Sequence, residues 1–217
     1  MMKLLFALLL SVLGQAATIT TSGFTAGTLA NVSGITNIDP LSLTGLGVTA
    51  DFDAGVTLTC TFVAGDTCSA SQSNNGFTFS WSAGTFTLSN TSTHSRDIIM
   101  LTVDLGSSPV VFDRTAPNPG TTGSGLGLDL FGTTDGSAVG SANYTNAVTF
   151  SGNAALNDIF KSVVISFSPG VAQGETATFT TDVDQVTAMP EPGTWTVVGM
   201  SMLAFATSRI RRKSSLR

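Results

Sequence analysis

Residues 77–81 read Phe-Thr-Phe-Ser-Trp, with Phe77, Phe79 and Trp81 in one phase and Thr78 and Ser80 in the other. Successive side chains of an extended strand point to opposite faces, so a period of two buries one face and wets the other. Phe86 and Leu88 continue the alternation after Gly84, and similar runs occupy 56–62, 98–105, 163–167 and 177–186. In the last of these, Phe179, Thr181, Val183 and Gln185 oppose their neighbours. Thr and Val dominate, and their branched side chains suit a pleated surface. Only 154–161 reads as a helical turn or two.

Turn chemistry punctuates the runs at Asn75-Gly76, Ala83-Gly84, Pro117-Asn118-Pro119-Gly120, Asp135-Gly136 and Pro169-Gly170. Residues 117–127 are the best candidate for a long loop. Many short strands at fairly even spacing predict an all-β fold, an antiparallel sandwich of jelly-roll-like kind. The domain is expected over 18–188. Disorder is the competing reading for the Thr/Gly/Ser-rich stretches, and the regular placement of aromatic residues argues against it. No internal repeat is convincing.

The two ends differ from this body. Lys3 precedes an apolar run at 4–13 and the small residues Gly14, Ala16 and Ala17. That order predicts a secretory signal peptide over 1–17, cut after Ala16 or Ala17, with the Sec translocon as partner. At the other end, 195–206 is almost wholly apolar, and Arg209, Arg211, Arg212, Lys213 and Arg217 follow. A helix over 194–208 would span about 22 Å at about 1.5 Å per residue. A hydrocarbon core needs about 30 Å, so this transmembrane helix is short, although Arg and Lys stems can snorkel past its end. The basic cluster stays on the cytoplasmic side and stops transfer. The body between therefore faces outward.

Within the body, only Arg96, Arg114 and Lys161 oppose twelve aspartates and Glu175. Such an acidic domain is unsuited to nucleic acid or anionic lipid, both of which require clustered bases. Export puts Cys60 and Cys68 in an oxidising compartment. With Ala64-Gly65-Asp66 as a turn between strand-like flanks, a disulfide across a hairpin is expected. Closing a loop of about nine residues would stabilise by about 2.6 kcal/mol in the chain-entropy description. The alternative, a metal or redox pair, has no partner ligands nearby in sequence.

The segment Met189-Pro190-Glu191-Pro192-Gly193-Thr194-Trp195, a short apolar stretch and a final basic cluster together resemble a PEP-CTERM sorting signal over 189–217. The resemblance implies recognition by exosortase, a membrane-embedded, cysteine-protease-like enzyme of Gram-negative bacteria that make exopolysaccharide. It assigns Pro190, Glu191 and Pro192 as the recognition triplet, with cleavage at or near it. It further implies an inner-membrane-anchored precursor that ends at the cell surface or in the extracellular matrix, associated with polysaccharide or biofilm. Met189 stands where Val is commoner, and the helix carries Thr and Ser where Leu and Ala are usual. Two prolines also keep the triplet extended, as a protease site requires. The alternative is a linker before an ordinary anchor. More loosely, residues 79–86, Val111-Phe112-Asp113 and 174–184 resemble bodies attached to such tails, which transfers no activity.

Catalytic chemistry is not expected. His94 lies in a polar loop, Ser92-Thr93-His94-Ser95-Arg96, and no Gly-x-Ser-x-Gly elbow accompanies it. Glu175 is the body's only glutamate, and no spacing marks an acid and a nucleophile for glycoside hydrolysis. No cofactor is indicated beyond calcium. Asp182 with Asp184, and Asp51 with Asp53, each put two carboxylates on one face of an extended segment. Asp129 and Asp135 flank a glycine-containing loop. No EF-hand spacing supports these, and solvent-facing aspartate is the plainer reading. Trp81 and Tyr144 are candidate sugar platforms; alternation sends Trp81 to the core and leaves Tyr144 as the exposed one. Asn31, Asn90 and Asn143 match a glycosylation sequon that is idle in a bacterium. The expected function is a non-enzymatic surface or matrix protein, with a calcium- or carbohydrate-binding surface module as the alternative.

Overall fold

The computed structural model describes residues 16–24, 30–32, 34–36, 42–106, 108–114, 127–150 and 158–187. Every regular element among them is a strand, as the alternation requires. In chain order these are β1 (Ala17–Phe24), β2 (Ala30–Val32), β3 (Gly34–Thr36), β4 (Gly47–Phe52) and β5 (Thr57–Thr61). β6 (Thr67–Gln72), β7 (Asn75–Ser82), β8 (Thr85–Asn90), β9 (Ile98–Asp104) and β10 (Val110–Asp113) follow. The last five are β11 (Phe131–Thr134), β12 (Val139–Phe150), β13 (Ile159–Val171), β14 (Thr176–Thr180) and β15 (Asp182–Thr187). The expected sorting tail over 189–217 lies outside the described residues, as does the expected signal peptide over 1–17 apart from Ala16 and Ala17, the latter of which already opens β1.

One hydrogen-bonded path runs β5-β4-β9-β13-β12-β1-β11-β14-β8-β7-β6. Its two ends, β5 and β6, are consecutive in the chain and are joined by the turn at Ala64-Gly65-Asp66. They do not pair as a hairpin ladder: β5 bonds to β4 and β6 to β7. A single bridge, Val63 to Thr67, connects them, together with the Cys60–Cys68 disulfide, whose Cα atoms are 5.8 Å apart. The sheet thus curls almost into a barrel, and the expected disulfide crosses the seam between its edges instead of the rungs of a hairpin.

The antiparallel expectation needs correction at two pairs, because β12 runs parallel to β1 and to β2. β1 is inserted between β11 and β12 and is antiparallel to β11. A short connection reverses the chain between β11 and β12, so a strand placed between them must run parallel to one.

β13 is long enough to serve two neighbours along one edge. Residues Ser162 to Ser166 pair with β9, whereas Ile159 and Phe160 pair with β10. From β10 a wing continues to β15 and then β3.

The inward phase is the predicted one at Phe77, Phe79, Phe86, Leu88 and Phe179, all buried. The Phe79 ring lies 5.7, 5.5 and 5.8 Å from those of Phe62, Phe86 and Phe179, within the range of favourable aromatic contact. Trp81 is half-buried against this core. Outward, Thr18, Thr133, Thr178, Thr87, Ser80 and Thr67 stand in register across six strands.

Four local expectations differ from the structure. The turn expected at Asn75-Gly76 falls at Ser73-Asn74, where Ser73 has φ 56°; Gly76 lies inside β7, and a Cβ there would meet Thr91 Oγ1 at 2.9 Å. Of the helical turn expected at 154–161, residues 154–157 lie outside the described residues and Ile159 already opens β13. There Lys161 is held in extended backbone, its Nζ donating to the carbonyls of Ser108 and Val110 at 2.7 Å. Pro169-Gly170 is a register irregularity within β13, not a turn, and Gly170 lets the chain pass close to Asp97. The run at 177–186 is two strands that part at Thr181, where the chain leaves the barrel path for the wing. Of the loop expected at 117–127, only Gly127 is described.

Candidate metal centre

The wing presents two different faces. Val110 and Phe112 of β10 and Val183 of β15 belong to the main core. The opposite phase carries Val111, which joins a second small apolar cluster with Val148 and Ile159, and it also carries Asp113, Asp182 and Asp184. Asp113 lies directly opposite Asp182 in the ladder, and Asp184 lies opposite Val111. Like charges placed opposite each other destabilise a strand pair, so this arrangement calls for something that offsets it.

One ligand oxygen from each of Asp113, Asp182 and Asp184 lies within 4.8 Å of the other two. Asp113 and Asp184 are both 0% exposed, and Asp182 is half-buried. Among the described residues, neither carboxylate oxygen of Asp113 meets an N–H or O–H donor. Its hydrogen-bonding neighbour is the Asp184 carboxyl, with which it can share only a proton. Burial pushes the Asp113 carboxyl up to about 8, with further contributions from the charges of Asp184, Asp182 and Asp158. Asp158, also 0% exposed, precedes β13, and its carbonyl accepts from Arg114 N–H at 2.6 Å.

The base that follows Asp113 in the chain directs its guanidinium elsewhere. Arg114 pairs with Asp129 instead, Nε to Oδ1 at 2.9 Å and Nη2 to Oδ2 at 3.1 Å, with its guanidinium 5.0 Å from the centre of the Tyr144 ring. Gly127 passes against the acids, and a Cβ there would fall 2.5 Å from Asp113 Oδ1 and 2.2 Å from the Arg114 carbonyl oxygen. Only glycine leaves that approach open.

Of the sequence-predicted ligands, Asp182 and Asp184 thus come together, and Asp113 joins them. The sequence reading missed Asp113 and Asp158. The available signal was an aspartate ending the wholly apolar run Val110-Val111-Phe112. Asp51 and Asp53 form no such group among the described residues. Asp51 accepts from Thr57 Oγ1 at 2.5 Å, and Asp53 is exposed in the turn after β4. Asp129 and Asp135 do not flank a simple loop, because β11 lies between them. Asp135 accepts from Thr176 N–H at 2.6 Å.

Tyr144 corrects the sugar-platform expectation. It is fully buried, its ring against Phe112 and Phe160, and its hydroxyl lies 2.7 Å from Thr181 Oγ1 and accepts from Leu130 N–H at 3.0 Å. Burial pushes its phenol up to about 12. Phe131, 53% exposed on β11, is the most exposed phenylalanine ring among the described residues, ahead of Phe24 at 40%. It borders a groove with Thr18, Thr85, Thr133, Thr178 and Thr180. His94 is an exposed loop residue, as expected. Pro190, Glu191, Pro192, Arg209, Arg211, Arg212 and Lys213 lie outside the described residues. Comparison with known proteins finds no matching family model, no matching curated protein and no matching solved structure.

Proposed function

We propose that this chain is an exported, non-enzymatic surface or matrix protein of a Gram-negative bacterium. On this reading it crosses the inner membrane through the Sec translocon and is held there by its C-terminal helix. Exosortase then recognises Pro190, Glu191 and Pro192 and releases the body, a β-structure of sandwich or jelly-roll kind, to the polysaccharide-rich exterior. The observation that carries the export half is the Cys60–Cys68 disulfide across the barrel seam, since such bonds persist in oxidising compartments. Replacing Pro190 and Pro192 together by Ala should leave an unprocessed, membrane-held precursor in a membrane-fraction blot. Normal processing of that variant refutes the sorting claim.

A second reading, contact with extracellular polysaccharide, is favoured by Phe131 beside outward threonine hydroxyls. An apolar ring flanked by hydroxyls suits the alternating faces of a sugar. Saturable binding on a glycan array that disappears with Phe131→Ala supports it, and binding unaffected by that change removes Phe131 as the platform.

A further inference from the structure

We infer that Asp113, Asp182 and Asp184 form a calcium site that fastens β15, the last strand before the tail, onto β10. The inference goes beyond the sorting reading and does not depend on it.

Two independent observations converge. The three carboxylates approach within 4.8 Å across one strand pair. In addition, Asp113 is 0% exposed, turns its carboxylate into the group, and finds no donor on either oxygen among the described residues. A buried charge without a counter-charge is costly, so it is either neutralised or held by a metal. A proton shared between Asp113 and Asp184 brings one positive charge to three carboxylates. A divalent cation offsets more of the group at once. The donors are all carboxylate oxygens, with no His or Cys among them, which selects a hard cation over zinc or copper. Calcium accepts six to eight oxygens in irregular arrangements and binds carboxylates singly or in pairs, whereas magnesium demands near-ideal octahedral geometry and keeps its waters. Three carboxylates from a strand pair fit calcium better. Half-buried Asp182 gives the ion its route in, and the bare Cα of Gly127 leaves room beside Asp113 Oδ1.

The test uses the full-length chain in detergent, stripped with a chelator and then titrated with calcium chloride. Titration calorimetry and the thermal unfolding midpoint are the readouts. Calcium should bind with a Kd of about 10⁻⁴–10⁻³ M, the range of extracellular calcium modules, and raise the midpoint. Magnesium should bind at least tenfold more weakly. Asp113→Asn should weaken calcium binding tenfold or more, while Asp51→Asn should leave it unchanged. Should Asp113→Asn fail to fold, Asp182→Asn at the half-buried position supplies the same measurement. Absence of heat and of any midpoint shift at about 10 mM calcium overturns the site, as does full affinity in the Asp113 variant. Equal affinity for magnesium overturns the assignment to calcium. The proline substitutions in the tail should not change calcium binding, and Asp113→Asn should not block tail processing, so the two claims fail separately.

Discussion

Phe79 in β7 and Asp113 in β10 are both 0% exposed, yet they sit in regions built on opposite terms. Around Phe79, the inward Phe77, Phe86, Leu88, Ala177 and Phe179 are aromatic or aliphatic, and Phe86 and Phe179 stack 5.3 Å apart beside it. The outward positions of those strands are hydroxylated, and Thr133 and Thr178 share a hydrogen bond at 3.2 Å. Around Asp113, one phase of the strand pair serves the main core while the other holds carboxylates beside a few valines and Ile159. The barrel buries what water rejects, whereas the wing buries what water would have solvated. A core as complete as the first can carry the cost of the second, and the second is where a ligand has something to gain.

Truncating the barrel should have the largest effect. Phe79→Ala removes a ring in contact with three others and should cost about 3–5 kcal/mol, read as a lowered urea midpoint with an unchanged slope. A loss below about 1 kcal/mol would mean that this cluster is not the stabilising centre. The seam comes next. Replacing Cys60 and Cys68 by Ser should cost about 2.6 kcal/mol through the loop closed in the unfolded chain. Because a single bridge, Val63 to Thr67, is the other ladder contact across this seam among the described residues, hydrogen exchange should quicken first in β5 and β6. Uniform quickening would show that the barrel does not depend on its seam.

These two regions were unequally legible in the sequence. At Phe77, Phe79, Trp81, Phe86 and Leu88, alternation alone assigned the strand, the phase and the buried face, because each strand has one wet side. It failed where strands are covered on both sides. Val110, Val111, Phe112 and Asp113 are all buried, so no period marks the acid as an inward residue. Asp182 and Asp184 were legible as a same-face pair, but their convergence with Asp113 depends on pairing across 69 residues. Nor can local pattern show that β1 inserts between β11 and β12, or that β5 and β6 are edges of a seam. Tyr144 was misread for the same reason: its polar neighbours Asn143 and Thr145 suggested exposure, whereas in β12 they are the alternate, outward phase.

Asp113→Asn sharpens the contrast by reversing sign. In the chelated protein at pH 8, the amide removes a carboxylate that burial and three neighbouring acids disfavour, and stability should rise by about 1–2 kcal/mol. With calcium in excess, the same change should lower stability relative to the parent, because a ligand that binds only the folded state stabilises it by mass action. Polar-to-amide substitution at Asp51, which hydrogen-bonds Thr57 at a half-exposed edge, should show no such reversal. Destabilisation by Asp113→Asn in chelator would mean that the wing's acids are already satisfied without a cation.

The smallest effect is expected on the barrel's outer face. Thr178→Ala deletes one hydroxyl from the row that runs from Thr18 to Thr67, and its partner Thr133 is exposed and can bond to water instead. The change should therefore stay within about 0.5 kcal/mol, measured by thermal unfolding against Thr178→Val, which keeps the branched shape and isolates the hydroxyl. A loss above about 1 kcal/mol in Ala but not in Val would place the stabilisation in the β-branched stem against its cross-strand neighbours Thr87 and Thr133. The same loss in both would place it in the hydroxyl, and the outer face would then be part of what holds the barrel together. A null result in both leaves that row free to serve what lies outside the barrel.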